Sequence, residues 1–227
     1  MDKLQIKSES GEPFIGRIEA GELIAVELER FRNKKAVVLG IPRGGVIVAN
    51  QIAQLLITDF DIVLSHKLGA PANPELAIGA VCEDGTIFID KNLARYVGAD
   101  EGYIEQEKNR QLQKIARRVR LYRKIIPKVG LKQRLVIVTD DGVATGATMR
   151  AALWAIRQEK PEKIVMALPV GPKDTIKQLS EDADETVCLK TPPVFEALGR
   201  FYKNFGQVED EELMEILKQE SNRRGRE

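Results

Sequence analysis

A chain of 227 residues with 43% hydrophobic and 30% charged residues holds enough apolar material for one sizeable α/β domain or two small ones. Its formal net charge of +1 excludes a strongly acidic or basic protein, so charge points to a class of partner only through local clusters. No stretch approaches the roughly eighteen apolar residues of a membrane helix, and the charged N-terminus MDKLQIKSESGEP lacks the apolar core of a signal peptide.

Short apolar runs alternate with segments of helical spacing along most of the chain. Continuous apolar strands that alternate with helices are typical of a parallel sheet covered on both faces, and right-handed crossovers make such a sheet doubly wound. We therefore predict an α/β fold with a doubly wound five-stranded parallel sheet. In chain order the predicted elements are a helix at 17–32, a strand at 36–40, a helix at 45–56, a strand at 61–65, a hairpin at 76–90, a helix at 100–124, a strand at 134–140, a helix at 147–159, a strand at 162–170, a helix at 172–182 and a strand at 185–190.

The amphipathic N-terminal helix at 17–32 and the helix at 100–124 lie outside the alternating core. The hairpin at 76–90 contains Asp84-Gly85 between two β-rich segments, and Asp-Gly is a strong turn signal. The helix at 100–124 is long and highly charged, and Pro127 and Gly130 mark its exit. We predict that this helix is inserted between the hairpin and the third core strand. The last residues, RRGRE, are expected to be frayed.

The two cysteines, Cys82 and Cys188, lie inside apolar runs and form no C-x-x-C pair. This pattern is typical of buried, reduced thiols. Disulfides are rare in the cytosol, so the cysteines and the absence of a recognisable targeting segment predict a cytoplasmic protein without a membrane partner.

The segment VIVTDDGVATGATMR, residues 136–150, joins the third core strand to its helix. Ligands of such sheets bind beyond the carboxyl ends of the strands, where the first N–H groups of the helix and its dipole favour an anion. Small residues let a phosphate approach the backbone, and Thr145 and Thr148 add hydroxyl donors. Two adjacent carboxylates repel a phosphate, so Asp140 and Asp141 fit a different task, which is to accept hydrogen bonds from vicinal sugar hydroxyls. The segment predicts a ribose 5-phosphate site.

An Asp pair that only caps a helix is the simpler interpretation, and for the two acids alone we would favour it. The full string favours the sugar phosphate. VIVTDDGVATGAT also resembles the phosphoribosyl diphosphate (PRPP) motif of type I phosphoribosyltransferases in its length, acid pair and Thr-Gly-x-Thr ending. The resemblance implies a five-stranded parallel sheet, a hood over the active site, and Mg²⁺-dependent transfer of ribose 5-phosphate from PRPP. The implied ribose 5-phosphate site comprises Asp140 and Asp141 on the ribose hydroxyls, with Gly142, Ala144, Thr145, Gly146, Ala147 and Thr148.

Residues 40–45, GIPRGG, follow the first core strand, where backbone donors at a helix start and one cation suit a diphosphate. The segment is similar to the diphosphate loop of the family, which implies a diphosphate site at Pro42, Arg43, Gly44 and Gly45.

Lys67 follows the second core strand, where the family has a catalytic loop or hairpin with a basic residue at its base. The resemblance implies that Lys67 and Asp141 are the catalytic residues, and that Lys67 neutralises charge on the diphosphate as the bond breaks. A solvated strand-end charge is the structural alternative for Lys67. The neighbouring His66 is the single histidine of the chain and a secondary candidate.

The resemblance extends over nearly the whole chain. FIGRIEAGELIAVELERF, KLGAPANPELAIGAV and TPPVFEALGRFYKNFGQV look like a subgroup of bacterial and archaeal phosphoribosyltransferases that is known by prediction and has no settled acceptor. It implies one domain over 1–227, with an N-terminal helix at 17–32, a helical insertion at 91–130 and a C-terminal hood or tail at 191–227.

The acceptor is the least determined part of the prediction. Family enzymes that salvage 6-oxopurines carry an Asp just before Thr-Gly. This chain has Ala144 there, which cannot exchange a proton, so the sequence does not favour that route to hypoxanthine or guanine. Phe195 and Tyr202 are the predicted acceptor residues because their rings can stack on a heterocycle. Packing of the C-terminal segment is the alternative for both rings and the favoured role of Phe201 and Phe205.

Residues 108–128 are rich in Lys and Arg. They are interpreted as a structural or oligomeric helix, since charge runs on helices are usually solvated. The alternatives are an RNA-binding face and arginines that reach the active site or a partner's diphosphate.

The sequence thus predicts a Mg²⁺-dependent phosphoribosyltransferase that takes PRPP and a nitrogenous small molecule, in the first place a nucleobase. We expect it to be a homo-oligomer, and nucleic acid is not expected as a partner. A PRPP- or nucleotide-sensing regulator on the same fold, able to bind RNA through 108–128, is the main alternative. A phosphoribosyl hydrolase, or a transferase with another acceptor, is a third.

Overall fold

The computed structural model describes residues 3–225. Besides the main elements given next, two one-turn helices span Glu29–Phe31 and Leu198–Phe201. The main elements in chain order are β1 (Leu4–Ser8), α1 (Arg17–Glu27), β2 (Ala36–Gly40), α2 (Gly44–Leu56), β3 (Asp59–Ile62), β4 (Ser65–Gly69), β5 (Ala77–Cys82), β6 (Ile87–Ile89), α3 (Lys91–Tyr96), α4 (Glu101–Tyr122), β7 (Leu135–Thr139), α5 (Ala147–Gln158), β8 (Lys163–Val170), α6 (Lys173–Ser180), β9 (Glu185–Lys190) and α7 (Asp210–Arg224).

The larger sheet is parallel and has six strands in the order β1-β9-β8-β7-β2-β3. Successive residues along each strand point to opposite faces of this sheet. Val38 and Ile137 pack with α1, α2 and α7 on one face, whereas Val37 and Val136 pack with α5 and α6 on the other. The doubly wound α/β fold that the sequence predicts is therefore confirmed.

The predicted number of five core strands is too low by one. The five predicted strands correspond to β2, β3, β7, β8 and β9, and β1 is added at the edge of the sheet, where it pairs with β9. Its sequence LQIKS is short and half-buried, with alternating apolar and polar residues. Such an edge strand lacks the continuous apolar run by which the central strands are recognised.

A second, antiparallel sheet has the order β4-β5-β6. It confirms the hairpin at 76–90, in which β5 and β6 flank the turn, and it adds β4. The predicted strand at 61–65 spans two elements, because the chain leaves the larger sheet after Ile62 and enters the smaller one at Ser65. Helices α3 and α4 cover this sheet through Ala94, Tyr103 and Leu112, so the long helix predicted at 100–124 is present as α4.

Helix α7 lies within residues 191–227, the segment that the sequence predicts to be a hood or tail. Leu213 and Leu217 are fully buried against the core, and Arg224 donates to the carbonyl oxygen of Phe60. The expected fraying of RRGRE is thus wrong for its first two residues, while Arg226 and Glu227 lie outside the described residues. Three acids in the first turn and two arginines in the last suit the helix dipole, so the sequence did contain a signal for this helix.

The cysteines form no disulfide; Cys188 is buried and Cys82 half-buried. Burial raises the pKa of each thiol to about 12, so both are unreactive at neutral pH. Between residues 3 and 225, none of the helices is both long enough and apolar enough to cross a bilayer.

Candidate functional site

The loops that follow β2 and β7 lie side by side at the carboxyl edge of the larger sheet. Gly40 of β2 pairs with Thr139 of β7, and the N–H of Ile41 donates to the Thr139 carbonyl oxygen at 3.0 Å. This edge is where ligands of doubly wound sheets bind. The fold therefore brings the segment 40–45 and the segment 140–148 together, although about a hundred residues separate them in the chain.

Two glycines allow close contact between these loops. A Cβ atom on Gly44 would overlap the carboxylate of Asp141, and one on Gly45 would lie 2.7 Å from the Cα of Asp140. Any side chain at either position would push the loops apart. Both acids are consequently held directly beside the start of α2.

The start of α5 has the features of a phosphate site. Gly146 precedes the helix with φ of +76°, and no side chain caps the first turn, so its first N–H groups are free for a ligand. Thr145 and Thr148 are exposed there. The hydroxyl of Thr175 donates to the Ala144 carbonyl oxygen at 3.1 Å, which ties the loop to α6.

The start of α2 is a second uncapped helix terminus. Arg43 occupies the position before the helix, and no side chain hydrogen bond caps it. The Arg43 guanidinium lies 3.7 Å from the exposed Glu209 carboxylate, a distance at which a solvated ion pair contributes little. Arg43, Gly44 and Gly45, which follow Pro42, thus present backbone N–H donors and one available cation, the combination that suits a phosphate group.

The two acids are hydrogen-bonded to each other, and Asp140 lies where its charge is disfavoured. The N–H of Asp141 donates to Oδ1 of Asp140 at 2.8 Å. Burial, and secondly the neighbouring Asp141 carboxylate, raise the pKa of Asp140 well above its ordinary value. Two adjacent carboxylates in a water-poor environment share protons in this way. Asp140 therefore holds a proton more readily than an ordinary carboxyl group does.

Arg17 is a member of the site that the sequence did not identify. Its Nε donates to Oδ2 of Asp141 at 2.7 Å, and the side chains of both residues are 11% exposed. Its Nη1 donates to the Gly206 carbonyl oxygen at 2.9 Å, and its guanidinium lies 4.1 Å from the centre of the Phe205 ring. Arg17 belongs to a helix 124 residues away in sequence, so no local pattern signals this contact.

The two predicted acceptor rings are both engaged in packing. The Tyr202 ring lies between Phe14 and Phe205, with centroids 5.4 and 5.1 Å away, and its hydroxyl donates to the Asp141 carbonyl oxygen at 2.6 Å. Burial raises the pKa of Tyr202. Phe195 stacks on Phe201 at 5.0 Å. These contacts favour the packing role, and stacking of either ring on an acceptor stays a prediction.

Lys67 lies on β4 and lines a cavity of about 470 Å³. Pro42 and Thr148 line the same cavity, so it connects the predicted diphosphate loop, the predicted phosphate loop and the predicted catalytic lysine. The Nζ of Lys67 lies 2.8 Å from a Glu75 carboxylate oxygen, and the lysine side chain is only 25% exposed. It is therefore placed at the wall of a cavity and not on an open strand end.

Helix α4 forms the opposite wall of this cavity. Arg110 and Arg118 of α4 line the cavity. This placement favours the alternative in which arginines of the basic stretch 108–128 reach the site. Gln111 of α4 accepts a hydrogen bond from Nδ1 of His66 at 3.1 Å. Burial lowers the pKa of His66, as do the charges of Arg118 and Lys114, so His66 is neutral at physiological pH.

Comparisons with known proteins agree with this geometry. A profile of the phosphoribosyl transferase domain matches residues 15–202. Two Mycobacterium tuberculosis proteins, from strains CDC 1551 / Oshkosh and ATCC 25618 / H37Rv, are named as phosphoribosyl transferases by prediction and are 39% identical over 204 residues. The match covers 90% of this chain and 46% of each relative, so the chain spans about half their length.

A solved structure supports the fold independently. The crystal structure of TT1426 from Thermus thermophilus shares 43% identity and a TM-score of 0.87 with this chain, and the match covers 91% of this chain and 98% of that one. The class of protein is thus an α/β protein in which two loops and an acid pair meet at one edge of the sheet. The chain belongs to the phosphoribosyl transferase family.

Proposed function

We propose that the chain transfers ribose 5-phosphate from PRPP to a nitrogenous acceptor and releases diphosphate. The observation that carries this proposal is the direct contact of the acid pair with the start of α2, beside the uncapped start of α5. Two anion sites that flank paired carboxylates match a molecule with a phosphate at one end, a diphosphate at the other and hydroxyls between them.

In this proposal Asp140 and Asp141 accept hydrogen bonds from the two ribose hydroxyls. The N–H groups and hydroxyls of 144–148 bind the 5-phosphate, and 42–45 bind the diphosphate. The bond between the anomeric carbon and the diphosphate oxygen breaks, and its electron pair leaves with the diphosphate. Positive charge develops on the sugar, where the Asp141 carboxylate stabilises it. The acceptor nitrogen forms the new bond to the anomeric carbon, and the proton that it loses passes to solvent. Lys67 compensates the charge that moves onto the leaving group.

The residues present fit Mg²⁺ carried in with PRPP. Within residues 3–225 no group of three or more His, Cys, Asp or Glu side chains is arranged to hold a metal. Mg²⁺ commonly takes one or two carboxylates and completes its shell with substrate phosphates and water, and the acid pair supplies such carboxylates. The ion would neutralise the diphosphate when bound.

The acceptor in this proposal is a nucleobase in the first place. Ala144 is exposed. It occupies the position of the acid that serves 6-oxopurines in related enzymes, and it offers no proton. An acceptor with a different nitrogen nucleophile therefore stays an alternative. The homo-oligomer and the cytoplasmic location also stay predictions.

The proposal is tested by incubating the protein with PRPP, Mg²⁺ and a panel of nucleobases and measuring diphosphate release. We expect release with at least one base, and loss of it in Asp141→Asn. Glu215→Gln, which alters an exposed carboxylate of α7, is the matched control and should keep full activity. Absence of both PRPP binding and diphosphate release in the unaltered protein would contradict the proposal.

A sensor that binds PRPP and RNA is the second candidate, because Arg117 and Arg120 of α4 are exposed and have no carboxylate partner among residues 3–225. It predicts PRPP binding without turnover and RNA binding that weakens with salt. The triple change of Arg117, Arg118 and Arg120 to Glu should abolish RNA binding. RNA binding that survives this change would remove the sensor from consideration.

A further inference from the structure

The cavity beside Lys67 continues into a second cavity of about 320 Å³. Both are lined by His66, Lys114 and Arg118, and the second also by Arg43 of the predicted diphosphate loop. Helix α4, which belongs to the insertion and not to the alternating core, thus forms a shared wall of one continuous cleft. The cleft runs from the start of α5 to the loop after β2.

Cations outnumber carboxylates in this cleft by six to three. Each carboxylate already has a donor. Glu75 pairs with Lys67 at 2.8 Å, Glu107 pairs with Arg110 at 2.6 Å, and Asp210 accepts from the Tyr122 hydroxyl at 2.9 Å. The six cations are Arg43, Lys67, Arg110, Lys114, Arg117 and Arg118.

Lys114, Arg117 and Arg118 have no hydrogen-bond or ion-pair partner in the part of the chain that the structure describes. Lys114 and Arg118 both lie close enough to His66 for their charges to lower its pKa. In the same way, Arg118 and Arg43 both lie close enough to the Tyr122 hydroxyl for their charges to oppose the rise of its pKa. Like charges gathered in a concave surface raise the local concentration of anions. The cleft is therefore an anion site whose charge is not balanced from within.

The backbone that presents these cations is anchored at both ends. Near its start, the Tyr103 hydroxyl donates to the Gly69 carbonyl oxygen at 2.8 Å. Just beyond its end, Arg123 contacts the Asp61 carboxylate at 2.6 Å and the Glu83 carboxylate at 2.8 Å. A helix held in this way keeps its side chains at defined positions, as binding sites require.

We propose that Lys114 and Arg118 of α4 bind the diphosphate group of PRPP, as a second wall of the site opposite the loop 42–45. The inference rests on the proposed function, because it assigns part of the same substrate. As the electron pair of the broken bond moves onto the diphosphate, these two cations and Lys67 face the added charge. Arg117, at the rim, is not required.

The test is calorimetric titration of the full chain with inorganic diphosphate and, separately, with PRPP, both with Mg²⁺. Lys114→Ala and Arg118→Ala should each weaken diphosphate binding by about tenfold or more, because each removes a charged hydrogen-bond donor. Arg118→Lys should recover part of the loss. Arg120→Ala, on the same helix but outside both cavities, is the matched control and should bind like the unaltered protein.

The outcomes separate the inference from the function on which it rests. If the unaltered protein binds PRPP and both α4 variants bind diphosphate equally well while remaining folded, the inference is overturned and the proposed function stands. If diphosphate binding depends on Lys114 and Arg118 but the unaltered protein neither binds PRPP nor releases diphosphate with any base, the anion site stands and the proposed function is wrong. If the unaltered protein does not bind diphosphate, the inference is overturned.

Discussion

Asp140 occupies an environment that disfavours its charge. Because its pKa is raised above the ordinary carboxyl value of 3.8, the folded state binds a proton more tightly than the unfolded state. The stability that this proton contributes is complete at low pH, and it is lost as the pH rises from the ordinary value through the folded pKa. At neutral pH Asp140 therefore lowers the free energy of unfolding, while it supplies a carboxyl group for ligand binding.

Asp140→Asn should consequently raise the free energy of unfolding at neutral pH while weakening PRPP binding about tenfold or more. The amide oxygen can still accept from the Asp141 N–H, so the loop need not rearrange. Urea unfolding measured from pH 4 to 8 checks the first part, and the gain should shrink toward pH 4. A variant that is less stable than the original protein at pH 7 would contradict this account of Asp140.

Arg17 and Asp141 form the ion pair through which α1 contacts the site. Removing the arginine alone leaves a mostly buried carboxylate without its counter-charge, so Arg17→Ala should cost about 1–3 kcal/mol of unfolding free energy. The double variant Arg17→Ala/Asp141→Asn should recover part of that cost, and the double-mutant cycle gives the coupling. Strictly additive losses in denaturant unfolding would show that the two side chains do not interact.

The proximity of candidate site residues could be predicted where the signal was local in sequence. The acid pair, the small residues after it and the glycines at 44 and 45 all lie in short segments whose chemistry can be inferred directly, and the structure brings them together. Arg17, Lys114 and Arg118 could not be placed in the same way. Their positions depend on how whole helices pack, which no spacing in the sequence encodes.

At the scale of elements, the contact between the two loops depends on the absence of a side chain at the start of α2. Gly44→Ala should displace Asp141, because the new Cβ overlaps its carboxylate, and PRPP binding should be lost. Gly130→Ala is the matched control, since nothing lies within 4 Å of a Cβ at that position. Calorimetric titration with PRPP checks both variants; equal affinities would show that the loops are not in contact.

Helix α4 is fixed to the core through the residue that follows it. Asp61 is 1% exposed, and burial raises its pKa despite its ion pair with Arg123. Arg123→Ala should cost about 3–5 kcal/mol because it leaves this buried carboxylate unpaired. Arg120→Ala, which removes an exposed arginine, should change stability by less than about 0.5 kcal/mol. Denaturant unfolding distinguishes them, and similar midpoints would contradict the anchoring role.

The elements that the sequence missed share a physical feature. Strand β1 is a half-buried edge strand, β4 is a short continuation after a strand, and α7 is a mostly polar helix whose signal lies in its terminal charges and not in an apolar pattern. Each is stabilised mainly by what it packs against. The central strands and the long helices were predictable because their own apolar patterns are strong enough to identify them.

At the scale of the molecule, the candidate site collects segments from most of the chain: α1, the loop after β2, β4, α4, the loop after β7, and the residues around Tyr202. A ligand that binds across these segments stabilises the folded state as a whole. PRPP with Mg²⁺ at a hundred times its dissociation constant should contribute about 2.7 kcal/mol, which corresponds to a melting-temperature increase of about 5–10 °C for a chain of this size.

The thermal shift is measured with PRPP, with ribose 5-phosphate and with inorganic diphosphate. Each fragment should give a smaller shift than PRPP, because each occupies only one of the two anion sites. No shift with PRPP at millimolar concentration would contradict binding at this site. A shift with diphosphate that equals the shift with PRPP would show that the acid pair and the α5 terminus take no part.

The most direct test of the account is a crystal structure of the protein with PRPP and Mg²⁺. We predict that the 5-phosphate lies on the N–H groups of 144–148, that the ribose hydroxyls donate to Asp140 and Asp141, and that the diphosphate lies in the cleft between 42–45 and α4. A structure in which the ligand lies elsewhere, with the loop 144–148 free and Asp141 still bound only to Arg17, would contradict it.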